Sequence, residues 1–182
     1  MKHALLIIDV QNDYFEGGKF ELYKSRDALA NIIKVLAKFR EKGLPVIHVQ
    51  HLMGADGPFF VEDTPGAQIH ESLTPLANEY HLVKHLPSCF PGTNLKDILK
   101  NNNIDNLVVC GMMSHMCVDT TIRNCQDVGL KVTLLDDACT TRDLEYFGEV
   151  IPAQTVHKTS MAALAYLGGM FATLIKTSDL VI

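Results

Sequence analysis

The sequence predicts an α/β protein built on a doubly wound parallel sheet of about six strands. Two observations predict it. Short runs of strand length recur between stretches of helical period, and those runs are apolar on both faces, as strands buried between two layers of helices must be. No internal repeat or low-complexity tract divides the 182 residues. Residues 1–182 are therefore read as a single domain, long enough to bury roughly two thirds of its unfolded surface.

The strand-like runs come in the order ALLIIDV, LPVIHVQH, YHLVKH, NLVVCG, LKVTLLDD and FATLIKT. Their alternation with helical patterns implies right-handed crossovers. Leu29, Ile32, Ile33 and Leu36 mark one face of a helix that ends near Gly43. Leu95, Ile98 and Leu99 mark a second helix after Thr93, and Val118, Ile122 and Cys125 a third, closed by Gly129. The segment 54–75, GADGPFFVEDTPGAQIHESLTP, breaks the rhythm with three prolines and three glycines. It is read as a long loop: a lid or specificity wall beside a site, or a mobile surface excursion. Pro152 interrupts YFGEVIPAQTVHKTSMAALAYLGG, which predicts two shorter helices in place of one long one. The stretch MAALAYLGGMF is a core helix or a packing face between subunits.

Composition excludes several classes of function. A net charge of -5 offers no basic face for a polyanion, so nucleic acid is not an expected partner. No run approaches the roughly twenty apolar residues needed to cross a bilayer. The opening MKHALLIIDVQND meets Asp9 too soon for a secretory signal. Five cysteines, an odd number, argue against a disulfide framework and for a cytoplasmic setting. DVQNDYFEGG after the first run lacks the G-x-G-x-x-G turn of a dinucleotide site, so no such cofactor is expected.

In an open parallel sheet, residues just past the carboxyl ends of the strands face one crevice, where ligands bind. The first run ends in Asp9, the third in Lys84, and the fourth in Gly111, followed by a turn that delivers Cys117. Each has a plain structural reading: a turn residue, a snorkelling surface lysine, a small buried apolar side chain. A carboxylate behind the apolar ALLII is partly desolvated, however, and needs a cation, which Lys84 can supply. Ser114 reads as an N-cap, which would set Cys117 in a first helical turn, where free N–H groups favour a thiolate. Lowering a thiol by about two units from its usual pKa of about 8.5 corresponds to roughly 2.7 kcal/mol and leaves it mostly ionised at neutral pH. Cys89, Cys110, Cys125 and Cys139 form no CxxC pair and read as structural. His48 and His51, three apart on a strand, point to opposite faces and are not joint metal ligands. His115 either lines the pocket or faces solvent; the remaining histidines, His157 among them, carry no spacing signal.

With these residues in hand, the chain resembles the isochorismatase-like cysteine hydrolases, the superfamily that includes nicotinamidases. The resemblance is carried by LLIIDVQNDY around Asp9 and Gln11, VKHLPSCFPGTNL around Lys84, VVCGMMSHMCVDTT around Cys117, and VTLLDDACTT after the fifth run. It covers nearly the whole chain, with separate motifs in the right order. It implies a three-layer αβα fold with a six-stranded Rossmann-like sheet in the order 3-2-1-4-5-6, and an Asp9–Lys84–Cys117 catalytic triad. It also implies a cis peptide between Met112 and Met113, with the backbone N–H groups of Met113 and Cys117 as an oxyanion hole. Gln11 matches a family glutamine near the substrate, or else ties down the loop after the first strand. Phe15, Phe90 and His115 are the other expected substrate contacts.

Where nicotinamidases carry an acid-x-His element for a metal, HVQHLMGADG has His51 and Met53, so no metal is expected. Isochorismate cleavage in the family proceeds without the cysteine, so Cys117 tilts the expectation toward C–N hydrolysis of a small amide-type substrate through a thioester. Vinyl ether hydrolysis, and a non-catalytic redox-sensing or interaction protein on the same scaffold, are the rival readings. Assembly as a homodimer or homotetramer is a further implication of the resemblance.

Overall fold

The structure, a computed structural model, describes residues 2–182. Its strands are β1 (His3–Ile8), β2 (Val46–His51), β3 (Tyr80–Lys84), β4 (Asn106–Met112), β5 (Lys131–Thr140), β6 (Leu144–Tyr146), β7 (Glu149–Ile151) and β8 (Thr173–Ile175). Six of them form one parallel sheet in the order β3-β2-β1-β4-β5-β8. This is the expected topology, with the sixth run standing eighth in the chain because a hairpin intervenes.

The central strands alternate between two cores, because successive side chains on a strand point to opposite faces. Ala4, Leu6 and Ile8 of β1 join Leu107 and Val109 of β4 in one core. Leu5 and Ile7 join Val108, Cys110 and Met112 in the other. Helix α1 (Ser25–Glu41) covers the second core with Leu29, Ile32, Val35, Leu36 and Phe39. The first is covered by α2 (Leu95–Asn101), α3 (Asp119–Asp127) and α4 (Ala153–Leu164), through residues such as Leu95, Ile122 and Met161. A short α5 (Tyr166–Gly169) follows. The result is a three-layer αβα arrangement.

One expectation needs correction. The stretch before Pro152 is not helical: β6 and β7 pair as an antiparallel hairpin with Phe147 and Gly148 at the turn, at φ of +49° and +85°. Positive φ at both central residues matches the right-handed twist of a two-residue hairpin. The signal was hidden because phenylalanine stands where Asn or Asp usually announces such a turn. Pro152 then precedes α4 as its N-cap, so only the second half of the stretch is a helix.

Of the two readings of the loop 54–75, its packing favours the wall. It bridges to the chain at Met53–Val61 and Gln11–Ile69 and buries Phe60, Ala67 and Leu73. The Asp13 carboxylate, just past β1, accepts from the N–H of Phe60 at 2.7 Å and of Lys19 at 3.1 Å. Tyr14, Phe20, Phe59 and Phe60 pack into one aromatic cluster behind it. The loop is a fixed wall at the carboxyl end of the sheet.

Candidate active site

Parallel pairing brings several strand ends to one place. Asp9 follows β1, His51 ends β2 and Lys84 ends β3, with His51 and Lys84 directly paired in register. Gly111 of β4 pairs with Ile8, one residue before Asp9. Gly111 has φ of +131°, and a Cβ there would lie 2.1 Å from the Ile8 carbonyl oxygen, so only glycine lets the strands approach. Beyond β4 the Met112–Met113 peptide is cis, and a five-residue π-helical turn, Ser114–Val118, carries Cys117.

The side chains converge on the Lys84 ammonium, which is buried. Its Nζ lies 2.8 Å from Asp9 Oδ2, 2.8 Å from His51 Nδ1, 3.1 Å from the Leu86 carbonyl and 3.3 Å from Cys117 Sγ. Three N–H protons thus face four acceptors. The Asp9–Lys84 contact is a close ion pair with both side chains fully buried. Asp9 itself holds a φ of +52°, a left-handed conformation that aspartate tolerates better than most residues.

Burial sets the protonation states. It raises the Asp9 carboxyl, with Lys84 opposing. Burial alone would lower the Lys84 ammonium, but the Asp9 carboxylate beside it outweighs that and holds the pKa up. The Cys117 thiol is 5% exposed; burial first and the Asp9 charge second push it above the usual thiol range, against Lys84. The expected depressed thiol is therefore corrected: desolvation and a neighbouring carboxylate outweigh one ammonium. His51 is pushed down to about 4 by burial and then by Lys84 and His85. It is neutral, accepts from Lys84 at Nδ1, and so carries its proton on Nε2.

Ser114 does not cap the turn. Its hydroxyl donates to the Thr140 carbonyl at 3.0 Å, while the Met113 carbonyl accepts from the N–H of Met116 and Val118 at 3.1 and 3.3 Å. Gln11 ties down the loop after β1. Its amide donates to the carbonyls of His51 and Ala67 at 2.8 and 2.7 Å and accepts from the His51 N–H at 2.8 Å, tying β1, β2 and the wall together. Phe15 packs against His70, the rings tilted by 57° with centroids 4.6 Å apart, in a groove beside α1. Phe90 packs against the core that contains Cys117. The half-buried His115 meets Thr141 Oγ1 through Nδ1 at 2.6 Å.

His51 was the missed member. It obeys the strand-end rule as Lys84 does, but its sequence reading concerned metal ligation with His48, which lies on the opposite face and bonds Glu79 at 2.9 Å. Ligand atoms of Asp9, His51 and Cys117 do lie within 4.8 Å of one another. The Lys84 ammonium lies within 3.3 Å of an atom of each of the three.

The isochorismatase domain model matches residues 3–179. The chain is 44% identical over 180 residues to an uncharacterized isochorismatase family protein, YddQ, of Bacillus subtilis, covering 98% of each. It is 32% identical to streptothricin hydrolase of Streptomyces noursei, over 91% of this chain and 59% of that one. Among solved structures, an isochorismatase from Pseudomonas putida KT2440 is similar with a TM-score of 0.92 at 38% identity, over 98% of this chain and 90% of that one.

Proposed function

This chain belongs to the isochorismatase family of hydrolases, and on that premise we propose that it cleaves a C–N bond in a small amide-type substrate through a Cys117 thioester. The observation that carries this reading is the meeting of a thiol, a carboxylate and an ammonium from distant parts of the chain, Lys84 Nζ lying 2.8 Å from Asp9 and 3.3 Å from Cys117.

The protonation states suit a thiol activated only when substrate is present. Asp9 is a carboxylate whose raised pKa makes it a stronger base than an ordinary aspartate. Passing the thiol proton to Asp9 conserves the charge of the buried site, whereas losing it to solvent would leave a second anion there. Lys84 stays protonated and steadies the new thiolate. Sulfur attacks the carbonyl carbon, and the N–H groups of Met113 and Cys117 receive the oxyanion. Protonated Asp9 then gives its proton to the departing nitrogen as the C–N bond breaks. In the second half Asp9 takes a proton from the water that attacks the thioester carbon, the C–S bond breaks to release the acid, and Asp9 returns that proton to the sulfur. The His51 imidazole stands beside the reacting sulfur, its Nδ1 4.0 Å from Cys117 Sγ.

A redox-sensing role fits less well, since sensor cysteines are exposed thiolates and Cys117 is neither. The free cysteines, all buried, support a reducing, cytoplasmic setting. No helix among the described residues is long and apolar enough to cross a membrane. Assembly as a homodimer or homotetramer completes the proposal.

A panel of small amides, ureas and ring lactams tests it. Cys117→Ala should keep the far-UV spectrum and lose turnover together with the thioester adduct seen by intact mass. Turnover of the variant at the parental rate would rule out covalent catalysis.

A further inference from the structure

The turn that carries Cys117 is anchored from behind by groups the proposed mechanism leaves unused. Ser114, fully buried, lies between Met113 and Cys117. Its hydroxyl has one proton, which goes to the Thr140 carbonyl. Ser114 Oγ also lies 2.8 Å from His157 Nδ1, a hydrogen bond between the two side chains. On its other side His157 Nε2 lies 3.1 Å from Asp136 Oδ1. Asp136 is held at about 2, chiefly by that contact and further by the Lys176 ammonium bonded to its second oxygen, so it stays a carboxylate.

A continuous chain thus runs from Lys176 through Asp136 and His157 to Ser114. We propose that His157 is a positioning residue for the reaction, fixing the Met113–Cys117 turn through Ser114. The proposal rests on Cys117 being the nucleophile and on the N–H groups of Met113 and Cys117 receiving the oxyanion.

Three observations support it. The turn has no side-chain cap of its own, so Ser114 is its fully buried side-chain tether, beside the half-buried His115 that meets Thr141. That tether sits between the two proposed oxyanion donors. His157 comes from α4 on the same helical face as Met161 and Leu164, one and two turns on, which are buried in the core beneath the turn. Packing of α4 therefore sets where the imidazole stands, and the imidazole sets where the turn stands. A displacement of about 1 Å in an attacking or oxyanion-binding group costs up to about 100-fold in rate, so a bond worth little to stability is worth much to turnover.

The test uses the whole chain and p-nitrophenyl acetate, with acylation followed by nitrophenolate release and the adduct placed on Cys117 by mass spectrometry. His157→Leu should slow acylation about 10- to 100-fold with little change in KM. His157→Asn, whose amide can still donate to Ser114, should restore most of the rate. Ser114→Ala should be slowed similarly, and the Ser114→Ala/His157→Leu double variant should be no slower than Ser114→Ala alone.

Parental rates in His157→Leu, or losses that multiply in the double variant, would overturn the proposal. Should His157→Leu fail to fold, Asp136→Asn takes its place, since it removes the anchor behind the imidazole. It should slow acylation with KM held, and parental kinetics would overturn the idea equally. An absent adduct in the parental protein, or nitrophenolate release from Cys117→Ser at the parental rate, would instead mark failure of the cysteine mechanism and remove the proposal with it.

Discussion

Lys84 is the residue on which the electrostatics of the site turn, because it is the cation answering the buried Asp9 carboxylate. Removing one partner of a buried pair costs about 3–5 kcal/mol, most of it the penalty of the charge left behind. Lys84→Met should therefore lower the urea midpoint sharply, and Asp9→Asn/Lys84→Met should be more stable than Lys84→Met alone. A double variant no better than the single would show that the pair is not what holds the site together. The same balance gives an unusual sign for thiol reactivity. Burial and Asp9 raise Cys117, so its alkylation by iodoacetamide should climb only on the alkaline side of the ordinary thiol range. In Asp9→Asn the opposing charge is gone while Lys84 remains, so the alkylation curve should move to lower pH even as turnover is lost. A curve that stays in place would mean that Asp9 does not act on the sulfur. Asp9, Lys84 and Cys117 were legible from sequence because strand ends in a parallel sheet share a crevice. The sign of the thiol shift was not, since it depends on how far the fold buries one sulfur atom.

At the scale of elements, the site depends on how closely β4 approaches β1. A side chain at Gly111 would meet the Ile8 backbone at 2.1 Å for the oxygen and 2.7 Å for the nitrogen, and its φ of +131° is one that other residues rarely adopt. Gly111→Ala should therefore cost more than the roughly 1 kcal/mol typical of point substitutions, enough to yield little folded protein, as judged by thermal melting. A variant that melts within a few degrees of the parent would show that the strands can part without loss. The six sheet strands and the helices α1 to α3 were legible because their runs obey simple periods. The β6–β7 hairpin was not, because its strands are three residues each and its turn lacks the usual residues. Nor was the fixed state of the loop 54–75, which depends on Asp13 and Gln11 bonding to residues some fifty positions away. Local composition shows prolines and glycines there, but not the partners that hold them.

The whole molecule places its buried charges where the two cores meet at the carboxyl end of the sheet, and leaves its most exposed apolar side chains elsewhere. Tyr146, Phe147 and Val150 on the hairpin are 62%, 94% and 63% exposed. The hairpin is sealed at its base by the Ala153 N–H donating to Asp143 at 2.7 Å, but β6 and β7 pair only with each other. A two-stranded ribbon is marginally stable in water on its own, and clustered exposed apolar residues mark protein contacts. The proposed homodimer or homotetramer predicts that another copy covers this hairpin, because aromatic anchors lead specific interfaces. Phe147→Asp puts a charge at the centre of that surface. It should reduce the mass found by light scattering to that of one chain while leaving the melting of the isolated fold nearly unchanged, because Phe147 contributes little to either core. A parental protein that is already a single chain at micromolar concentration would dismiss the assembly, and an oligomer that survives the substitution would exclude this hairpin as its contact.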